Sequence, residues 1–220
     1  MRGVSTPQLY LVTPIVAEPD GFLDLLAAAC APGGVAALLL RMEPADERTL
    51  IKRLKALCPP AQERGAAVIA EVRGEGLDPV TVAARGGADG VHVSGGVGAL
   101  KDLRARLKDE RILGCGALKS RDDCMTAGEA GVDYLLFGEP RPDGTLPGLD
   151  AVAERAAWWA EIFETPCVAF APRIEDLATL AATGAEFVAL GDAVWTHPDG
   201  PEAAVRAALD ALAKAEVPER

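Results

Sequence analysis

The sequence lacks any apolar run long enough to cross a membrane. Its most apolar stretches, such as Val35–Leu40 and Phe187–Leu190, are far shorter than the roughly 20 residues that a bilayer requires. The first residues carry one arginine and no long apolar segment before Pro14, so no secretory signal is predicted. We therefore expect a cytoplasmic protein with no membrane partner.

Cysteines are few, and positively charged residues are outnumbered. The five cysteines are scattered, odd in number and without C-x-x-C spacing, which argues against disulfides and against a zinc site. Cys115 and Cys167 fall in apolar segments, where a reduced cysteine acts as a small buried residue. The chain has 22 Lys and Arg against 33 Asp and Glu, a net charge of −11. Because nucleic-acid binding needs a basic surface, we expect no nucleic-acid partner.

What the sequence does contain is a regular alternation of short apolar segments and amphipathic segments. Predicted strands cover Gln8–Thr13, Val35–Arg41, Ala67–Ala70, Gly90–Val93, Ile112–Ala117, Tyr134–Gly138, Cys167–Ala171 and Phe187–Gly191. Predicted helices follow them at Gly21–Ala31, Asp46–Arg64, Pro79–Arg85, Gly98–Lys108, Ser120–Gly131, Ala151–Phe163, Glu175–Thr183 and Gly200–Lys214. The order is therefore eight consecutive strand–helix units.

These units favour a single (β/α)8 TIM barrel over residues 1–220. The strands are almost continuously apolar, as expected for parallel strands buried on both faces. Leu50, Leu54 and Leu57 recur at three- and four-residue steps, the spacing of an amphipathic helix. Closing eight strands into a barrel pairs every strand edge. An open doubly wound sheet is the alternative, but no G-x-G-x-x-G follows the first strand.

An internal repeat marks the turns that lead from helix to strand. A glycine, a small residue and an acid precede three of the strands, and the acids are Asp89, Asp133 and Glu186. These turns lie at the bottom of a barrel, where residues serve stability. We therefore predict that the three acids cap turns and take no part in chemistry.

Functional residues of such a barrel lie at the carboxyl ends of its strands. Arg41 ends an otherwise apolar strand, and its guanidinium is suited to bind a phosphate through bidentate hydrogen bonds. The alternative for Arg41 is a salt bridge to Glu43 or Glu71. His92 ends the fourth strand and is either a catalytic base or a core histidine hydrogen-bonded to the backbone. Arg41 and His92 are the candidate catalytic residues.

The strand ends also supply candidate substrate-binding residues. Gly191 and Asp192 follow the eighth strand and would present backbone N–H groups to a phosphate at a helix start. Asp192 would repel an anion there, so a plain N-cap is its alternative role. Gly148 lies in the loop Glu139–Asp150, which is long enough for a lid and equally suits a solvated connector. The candidates for substrate binding are Glu71, Arg73, Lys119, Gly148, Gly191 and Asp192.

No pair of carboxylates converges after the third and fourth strands, where Arg73 and Val97 stand. The sequence therefore predicts no metal site, and no cofactor is evident. The expected ligand is a phosphorylated or anionic small molecule, and the sequence is compatible with a homo-oligomer.

At this point the chain resembles the thiamine-phosphate synthases and their TenI-like relatives over nearly its whole length. The segments that carry the resemblance are Leu9–Thr13 as the opening strand, Leu39–Arg41 at the family's Gln-x-Arg-x-Lys, Ala88–Val93 at its A-D-G-[IV]-H-[IL], Ile112–Gly114 at its I-[IL]-G-x-S, and Val132–Gly138 at its D-Y-[IV]-x-x-G-P. Together these motifs are fairly specific, although each is weak alone.

The resemblance implies a barrel that joins a pyrimidine diphosphate to a thiazole phosphate and releases pyrophosphate with the help of Mg²⁺. Among the family's functional positions, this chain keeps Arg41. The other positions carry different residues: Leu39 for Gln, Glu43 for Lys, Glu71 for Asn, Arg73 for a magnesium-binding Asp, a residue near Val97 for a second Asp, Gly116 for Ser, Asp143–Leu146 for T-x-T-K, and Ala171–Pro172 for the Gly-Gly phosphate turn.

These substitutions bear on the chemistry. Glu43 reverses a charge beside a diphosphate, Pro172 has no N–H to offer a phosphate, and the loss of the carboxylates removes the ligands for Mg²⁺. At an effective dielectric near 20, one close like-charge contact costs about 4 kcal/mol, or about three decades in rate. The sequence therefore predicts a thiamine-phosphate synthase fold whose synthase activity is weak, altered or lost.

Two alternatives stay open at this point. The first is a barrel enzyme with different chemistry on a phosphorylated or anionic small molecule. The mouth of its barrel, meaning the opening at the carboxyl ends of the strands, would bind the ligand through the basic residues Arg41, Arg73, Lys119, Arg141 and Arg173. The second is a noncatalytic binding module built on the same scaffold.

Overall fold

A computed structural model describes residues 6–107, 111–141 and 143–215. Eight parallel strands close into a barrel, in which each strand pairs with its neighbour in sequence and β8 pairs with β1. The strands are β1 Gln8–Val12, β2 Val35–Arg41, β3 Ala67–Glu71, β4 Gly90–Ser94, β5 Ile112–Gly116, β6 Tyr134–Phe137, β7 Cys167–Ala171 and β8 Phe187–Leu190. The prediction of a (β/α)8 TIM barrel is confirmed. Both ends of the predicted domain, 1–5 and 216–220, and Lys108 of the fourth predicted helix lie outside the described residues.

Helices surround the barrel. They are α1 Leu23–Cys30, α2 Glu47–Gln62, α3 Pro79–Gly86, α4 Leu100–Leu107, α5 Arg121–Glu129, α6 Leu149–Ile162, α7 Leu177–Ala181, α8 Asp192–Trp195 and α9 Gly200–Lys214. The predicted seventh helix is divided between a 3-10 turn at Ile174–Asp176 and α7. The helix start predicted at Gly191 and Asp192 is the four-residue α8; its extent was not predicted, because one helical turn is too short to show hydrophobic periodicity.

The core has two layers because the side chains of each strand alternate between its two faces. In β1, Tyr10 and Val12 belong to the cluster that fills the barrel interior. Leu9 and Leu11 belong to the larger cluster between the strands and the helices. The strands are therefore buried on both faces, as their continuous apolar sequences predict.

Capping side chains and glycines set several helix ends. The Asp46 carboxylate accepts a hydrogen bond from the Thr49 N–H at 3.1 Å at the start of α2. Ser120 and Asp123 form a reciprocal capping box at the start of α5. Gly65 and Gly131, after α2 and α5, have φ of 86° and 83°, in the left-handed region that glycine favours. The N-caps Asp46 and Ser120 are the residues at which the two helices were predicted to begin.

The acids of the internal repeat hold pairs of strands together at the bottom of the barrel. Asp89 accepts a hydrogen bond from the Val68 N–H of β3 at 2.7 Å. Asp133 accepts one from the Leu113 N–H of β5 at 2.7 Å. Glu186 likewise accepts from the first N–H of β7 at 2.9 Å. Each acid therefore joins the strand that follows it to the strand before it, which confirms a structural role.

The five cysteines are all free and buried, so none forms a disulfide. Cys115 and Cys167 are fully buried within their strands, as predicted. Across the described ranges, no helix is both long and apolar enough to pass through a membrane.

Candidate functional site

A cavity of about 810 Å³ opens at the carboxyl ends of the strands. Its described lining comes from β1 to β4 and β6, the loops that follow β3 to β6, and the first turns of α6; no described residue of β5, β7 or β8 lines it. The polar and charged side chains around it are Arg41, Glu71, Arg73, His92, Ser94, Lys119, Glu139, Arg141 and Arg155. The predicted location of the site is thus also the location of a large cavity.

Strand register brings three of the predicted residues to one level of the barrel. Arg41 of β2 pairs with Glu71 of β3, and Glu71 pairs with His92 of β4. The Arg41 backbone N–H donates to the Thr13 hydroxyl at 2.9 Å, which ties the end of β2 to the segment after β1. A shared level of the barrel is the reason that these side chains meet.

Glu71 lies at the centre of this group. Its carboxylate is 3.4 Å from Arg41 Nε and 2.7 Å from an Arg73 guanidinium nitrogen, and it accepts a hydrogen bond from the Ser94 hydroxyl. Burial by itself raises the pKa of Glu71, but the hydrogen bonds from Ser94 and Arg73 and the nearby positive charge outweigh it and lower the pKa. Glu71 is therefore an ionised, buried carboxylate that two arginines share.

The predicted salt bridge of Arg41 is present in the structure. The structure shows the salt bridge to Glu71, and the exposed Glu43 is not its partner among the described ion pairs. Arg41 still lines the cavity. The positive charge of Arg41 is therefore already paired with the Glu71 carboxylate.

His92 is part of a hydrogen-bonded chain inside the barrel. Its Nδ1 lies 2.9 Å from the Tyr134 hydroxyl, which lies 2.8 Å from the Tyr10 hydroxyl. The predicted alternative, a hydrogen bond to the backbone, was wrong, since the partner is a phenol. Burial lowers the pKa of His92 to about 4, and the charge of Glu71 only partly opposes this shift. His92 is therefore neutral at pH 7.

The other ring nitrogen of His92 is unused within the described part of the chain. His92 Nε2 is buried and has no hydrogen-bond partner there. The residue is 2% exposed and lines the cavity. A buried nitrogen without a partner costs free energy unless a ligand or a water satisfies it.

Glu139 approaches the same space from the loop after β6. A Cβ built on Gly116 would clash with Glu139 Oε1 and would lie 3.0 Å from His92 Nε2, so both groups border the face of Gly116. Glu139 accepts a hydrogen bond from the N–H of Ala117, a non-glycine residue with φ of 53°. Burial raises the pKa of Glu139 to about 7, while backbone hydrogen bonds oppose the shift. The cavity thus contains a carboxyl group that titrates near neutral pH.

Three basic residues stand on the opposite side of the cavity from the Glu71 group. Lys119 follows β5 and is exposed, Arg141 follows β6 and is exposed, and Arg155 projects from α6. Arg155 donates to the backbone carbonyls of Leu118 and Lys119 at 2.8 and 3.4 Å. Arg141 donates to the Thr145 hydroxyl at 3.3 Å. None of the three forms an ion pair with a carboxylate of the described ranges.

The remaining predicted residues do not border this cavity. The Arg173 guanidinium pairs with Asp176 at 2.9 Å, with 71% of its side chain exposed. Gly191 is buried, and a Cβ on it would lie 2.9 Å from the Phe170 ring. Asp192 is exposed and is the first residue of α8; Gly191 is the N-cap, so the N-cap role for Asp192 was wrong. Gly148 is the exposed N-cap of α6, beside the cavity-lining Pro147.

The sequence analysis did not identify Arg155, Tyr10 or Tyr134 as site residues. A strand-end rule cannot find Arg155, because it lies seven residues after the N-cap of α6. Tyr10 and Tyr134 lie within strands and read as core residues. In the ranges that the structure covers, no group of three or more His, Cys, Asp or Glu is arranged to hold a metal ion.

Comparisons of the sequence with a family model and with individual proteins point to the same family. Residues 9–194 match the family model described as thiamine monophosphate synthase. The chain is 38% identical over 200 residues to a thiamine-phosphate synthase of Rhodospirillum centenum, covering 90% of this chain and 94% of that protein. It is 35% identical over 208 residues to one of Hyphomonas neptunium, covering 91% of each.

Solved structures show the same fold. The thiamine phosphate pyrophosphorylase of Pyrococcus furiosus superposes with a TM-score of 0.74 at 21% identity, covering 96% of this chain and 97% of that one. An orotidine 5'-phosphate decarboxylase of Pyrococcus horikoshii superposes with a TM-score of 0.66 at 14% identity, covering 93% and 99%. At these identities the likeness concerns the barrel alone.

Proposed function

The chain belongs to the thiamine monophosphate synthase family, and on that basis we propose that its mouth cavity binds a phosphorylated small molecule while the synthase reaction of the family is weak. The relatives named above are thiamine-phosphate synthases. The observation that carries the second half of the proposal is the position of Glu71. An ionised carboxylate stands between the two arginines at the place where the family resemblance puts a diphosphate.

The electrostatic consequence is direct. A diphosphate that approached Arg41 would meet the Glu71 carboxylate, which already lies 3.4 Å from Arg41 Nε. At an effective dielectric near 20, one close like-charge contact costs about 4 kcal/mol. If it falls on the transition state, the rate decreases by about three decades. Glu43, in place of the motif lysine, is a second negative charge near the same strand end.

The donor groups at the mouth do not suit Mg²⁺, which the family uses. Mg²⁺ takes oxygen ligands, usually one or two carboxylates with waters and substrate phosphates. Glu71 is committed to Arg41, Arg73 and Ser94. Arg73 stands where the resemblance expects a magnesium-binding Asp.

A second candidate function is proton transfer on a bound ligand. The observation in its favour is Glu139, whose pKa burial raises to about 7, in a cavity that also contains the neutral His92. A general acid or base acts best when its pKa lies near the working pH. Glu139 stands where the family motif has its final proline, so it is a property of this chain and not of the motif.

The test measures pyrophosphate release from the pyrimidine diphosphate and thiazole phosphate in the presence of Mg²⁺. The Rhodospirillum centenum relative serves as the active reference. We expect kcat/KM at least about 1000-fold below the reference, together with measurable heat when thiazole phosphate alone is titrated into the chain. A rate within tenfold of the reference contradicts weak synthase activity, and no heat at millimolar thiazole phosphate contradicts the binding function.

A variant separates Glu71 from the other substitutions. Glu71→Asn removes the negative charge between the arginines and should raise both diphosphate affinity and any residual turnover. The matched control is Asp192→Asn, which removes an exposed carboxylate that does not border the cavity. Equal effects of the two variants would mean that Glu71 has no special role.

A further inference from the structure

We propose that Lys119, Arg141 and Arg155 form an anion subsite on the β5–β6 side of the mouth, and that it binds the phosphate group of the ligand. This inference rests on the proposed function, because it states where the phosphate of that ligand binds. It moves the phosphate away from the end of β8, where Gly191 and Asp192 were expected to hold it.

Charge balance distinguishes the two sides of the cavity. On the β2–β3 side, Arg41 and Arg73 share the Glu71 carboxylate. On the β5–β6 side, neither Lys119 nor Arg141 makes an ion pair with any described carboxylate, and both side chains are exposed at the rim. Two guanidiniums thus share one carboxylate on the β2–β3 side, whereas on the β5–β6 side the charges of Lys119 and Arg141 are in no ion pair of the described ranges that an anion would have to displace.

The start of α6 adds a favourable field to the same side. The cavity is lined by Pro147, Ala151 and Val152, so the first turn of this 14-residue helix borders it. The N-cap, Gly148, provides no side-chain cap. Helix N-termini carry partial positive charge and free N–H groups, which favour phosphate.

Arg155 fixes the geometry of the subsite. Its two terminal nitrogens donate to the Leu118 and Lys119 carbonyls, which tie α6 to the loop after β5. These hydrogen bonds hold the backbone of Leu118 and Lys119 against α6. Arg155 is a positioning residue whose positive charge also faces the cavity.

An independent observation indicates that a ligand occupies this cavity. His92 Nε2 is buried, borders the cavity and has no partner within the described ranges. A small molecule with a polar ring end could satisfy His92 at the floor while its phosphate reaches Lys119 and Arg141 at the rim. The volume of about 810 Å³ lies within the range of small-molecule sites.

Negative groups near the subsite do not cancel it. Asp143 accepts hydrogen bonds from the Thr145 N–H and hydroxyl at 2.9 and 2.7 Å, and the charge of Arg141 helps to lower its pKa, but it does not line the cavity. Asp123, whose pKa the charge of Lys119 helps to lower, does not line it either. Asp150, in the first turn of α6, is exposed and does not line it either. Glu139 does line it, and its pKa of about 7 leaves it largely neutral below that pH.

The β7–β8 side, in contrast, offers little to a phosphate. The Phe170 ring packs against Gly191, and Pro172 has no N–H to donate. Arg173 is held by Asp176 through two hydrogen bonds, at 3.1 and 2.9 Å. Arg173 therefore lies at the same end of the barrel as the cavity but does not line it.

Arg173 provides the matched control for the test. Inorganic phosphate and thiazole phosphate are titrated by calorimetry into the wild-type chain, Lys119→Ala, Arg141→Ala and Arg173→Ala. We expect Kd for both ligands to rise about tenfold in Lys119→Ala and in Arg141→Ala, since each loses a charge-assisted contact. Arg173→Ala should change Kd less than twofold. All three side chains are exposed, and unchanged circular dichroism and Tm confirm folding.

The outcomes separate the subsite from the proposed function. If the wild type binds thiazole phosphate but Lys119→Ala and Arg141→Ala bind it equally well, the subsite is wrong and the proposed function stands. The same holds if Arg173→Ala weakens binding as much as they do. If the wild type binds neither ligand at millimolar concentration, both proposals fail.

Discussion

The Nδ1 atom of His92 lies 2.9 Å from the hydroxyl oxygen of Tyr134, a residue of the barrel interior. Tyr134 is also 2.8 Å from the Tyr10 hydroxyl. The Tyr134 hydroxyl has one proton and can donate to only one of these neighbours. The direction of this donation therefore fixes the tautomer of His92, and with it what Nε2 presents to the cavity.

Replacing the middle of this chain should cost more than replacing its end. Tyr134→Phe leaves both the Tyr10 hydroxyl and His92 Nδ1 buried without a partner, so we expect a loss of about 2–4 kcal/mol in the free energy of unfolding. Tyr10→Phe removes one bond and should cost about 0.5–1.5 kcal/mol. Urea denaturation measures both, and equal losses would show that the chain does not act as a unit.

Gly116 and Glu139 should be energetically coupled. A Cβ at Gly116 would clash with Glu139 Oε1, so Gly116→Ala should destabilise the chain by about 1–3 kcal/mol. Adding Glu139→Ala removes the clash, so the double variant should lose less than the sum of the single variants. Gly98→Ala, with nothing within 4 Å of its Cβ, is the control and should change stability by less than about 0.5 kcal/mol. Strict additivity of Gly116→Ala and Glu139→Ala would contradict this coupling.

The coupling explains one limit of the sequence analysis. Gly116 was recognised as a departure from a family serine, but nothing in the sequence shows that its missing Cβ makes room for Glu139. The two residues are 23 positions apart and meet only because β5 and β6 are neighbours. Pairings of this kind depend on strand register, which apolar segments do not specify to the residue.

Glu139 should make stability depend on pH. Burial raises its pKa from 4.5 to about 7, so between these values the folded chain holds a proton that the unfolded chain releases. Stability from this group is therefore complete below about pH 4.5 and is lost as pH rises through 7. The wild type should lose up to about 3 kcal/mol relative to Glu139→Gln between about pH 4.5 and 8.

Urea denaturation of both proteins across this range measures the difference. His92 has the opposite effect, because its lowered pKa removes stability as pH falls from 6.5 to about 4, but it is present in both proteins and cancels. Parallel pH profiles for wild type and Glu139→Gln would show that Glu139 ionises normally.

The acids at the base of the barrel should contribute to the free energy of unfolding without affecting ligand affinity. Asp133→Ala removes the acceptor for the buried Leu113 N–H, so we expect a loss of about 1–3 kcal/mol in the free energy of unfolding. Affinity for thiazole phosphate should stay within twofold, since Asp133 lies at the end of the barrel away from the cavity. Asp24→Ala, an exposed first-turn residue of α1, is the control with little expected change. A large loss of affinity in Asp133→Ala would contradict the separation of the two ends.

The fold was predictable because it depends on repetition. Eight apolar segments and their spacing gave the barrel, and Val35–Arg41 and Cys167–Ala171 agree with the observed strands residue for residue. The site was predictable only in part. Arg41, Glu71 and His92 were found because they end strands, whereas the rule also selected Gly191, which does not border the cavity.

The remaining information was three-dimensional. Arg155 reaches the mouth from a helix because the α6 side chain spans to the loop after β5. The sequence left Arg41 between a phosphate and a carboxylate partner, and the choice of Glu71 follows from cross-strand pairing in register. Such contacts arise from closure of the barrel and have no local signature.

The acids at the base also bear on how this barrel tolerates change. Asp89, Asp133 and Glu186 staple β3 to β4, β5 to β6 and β7 to β8, whereas Gly34 occupies the matching place before β2, and the β1–β2 pair contains a register irregularity. Three of the eight neighbouring strand pairs therefore carry a side-chain link at the base of the barrel in addition to their backbone pairing. Because these links lie at the base, substitutions at the carboxyl ends of the strands leave them intact, so the residues around the cavity can vary without loss of the bonds that join these strand pairs.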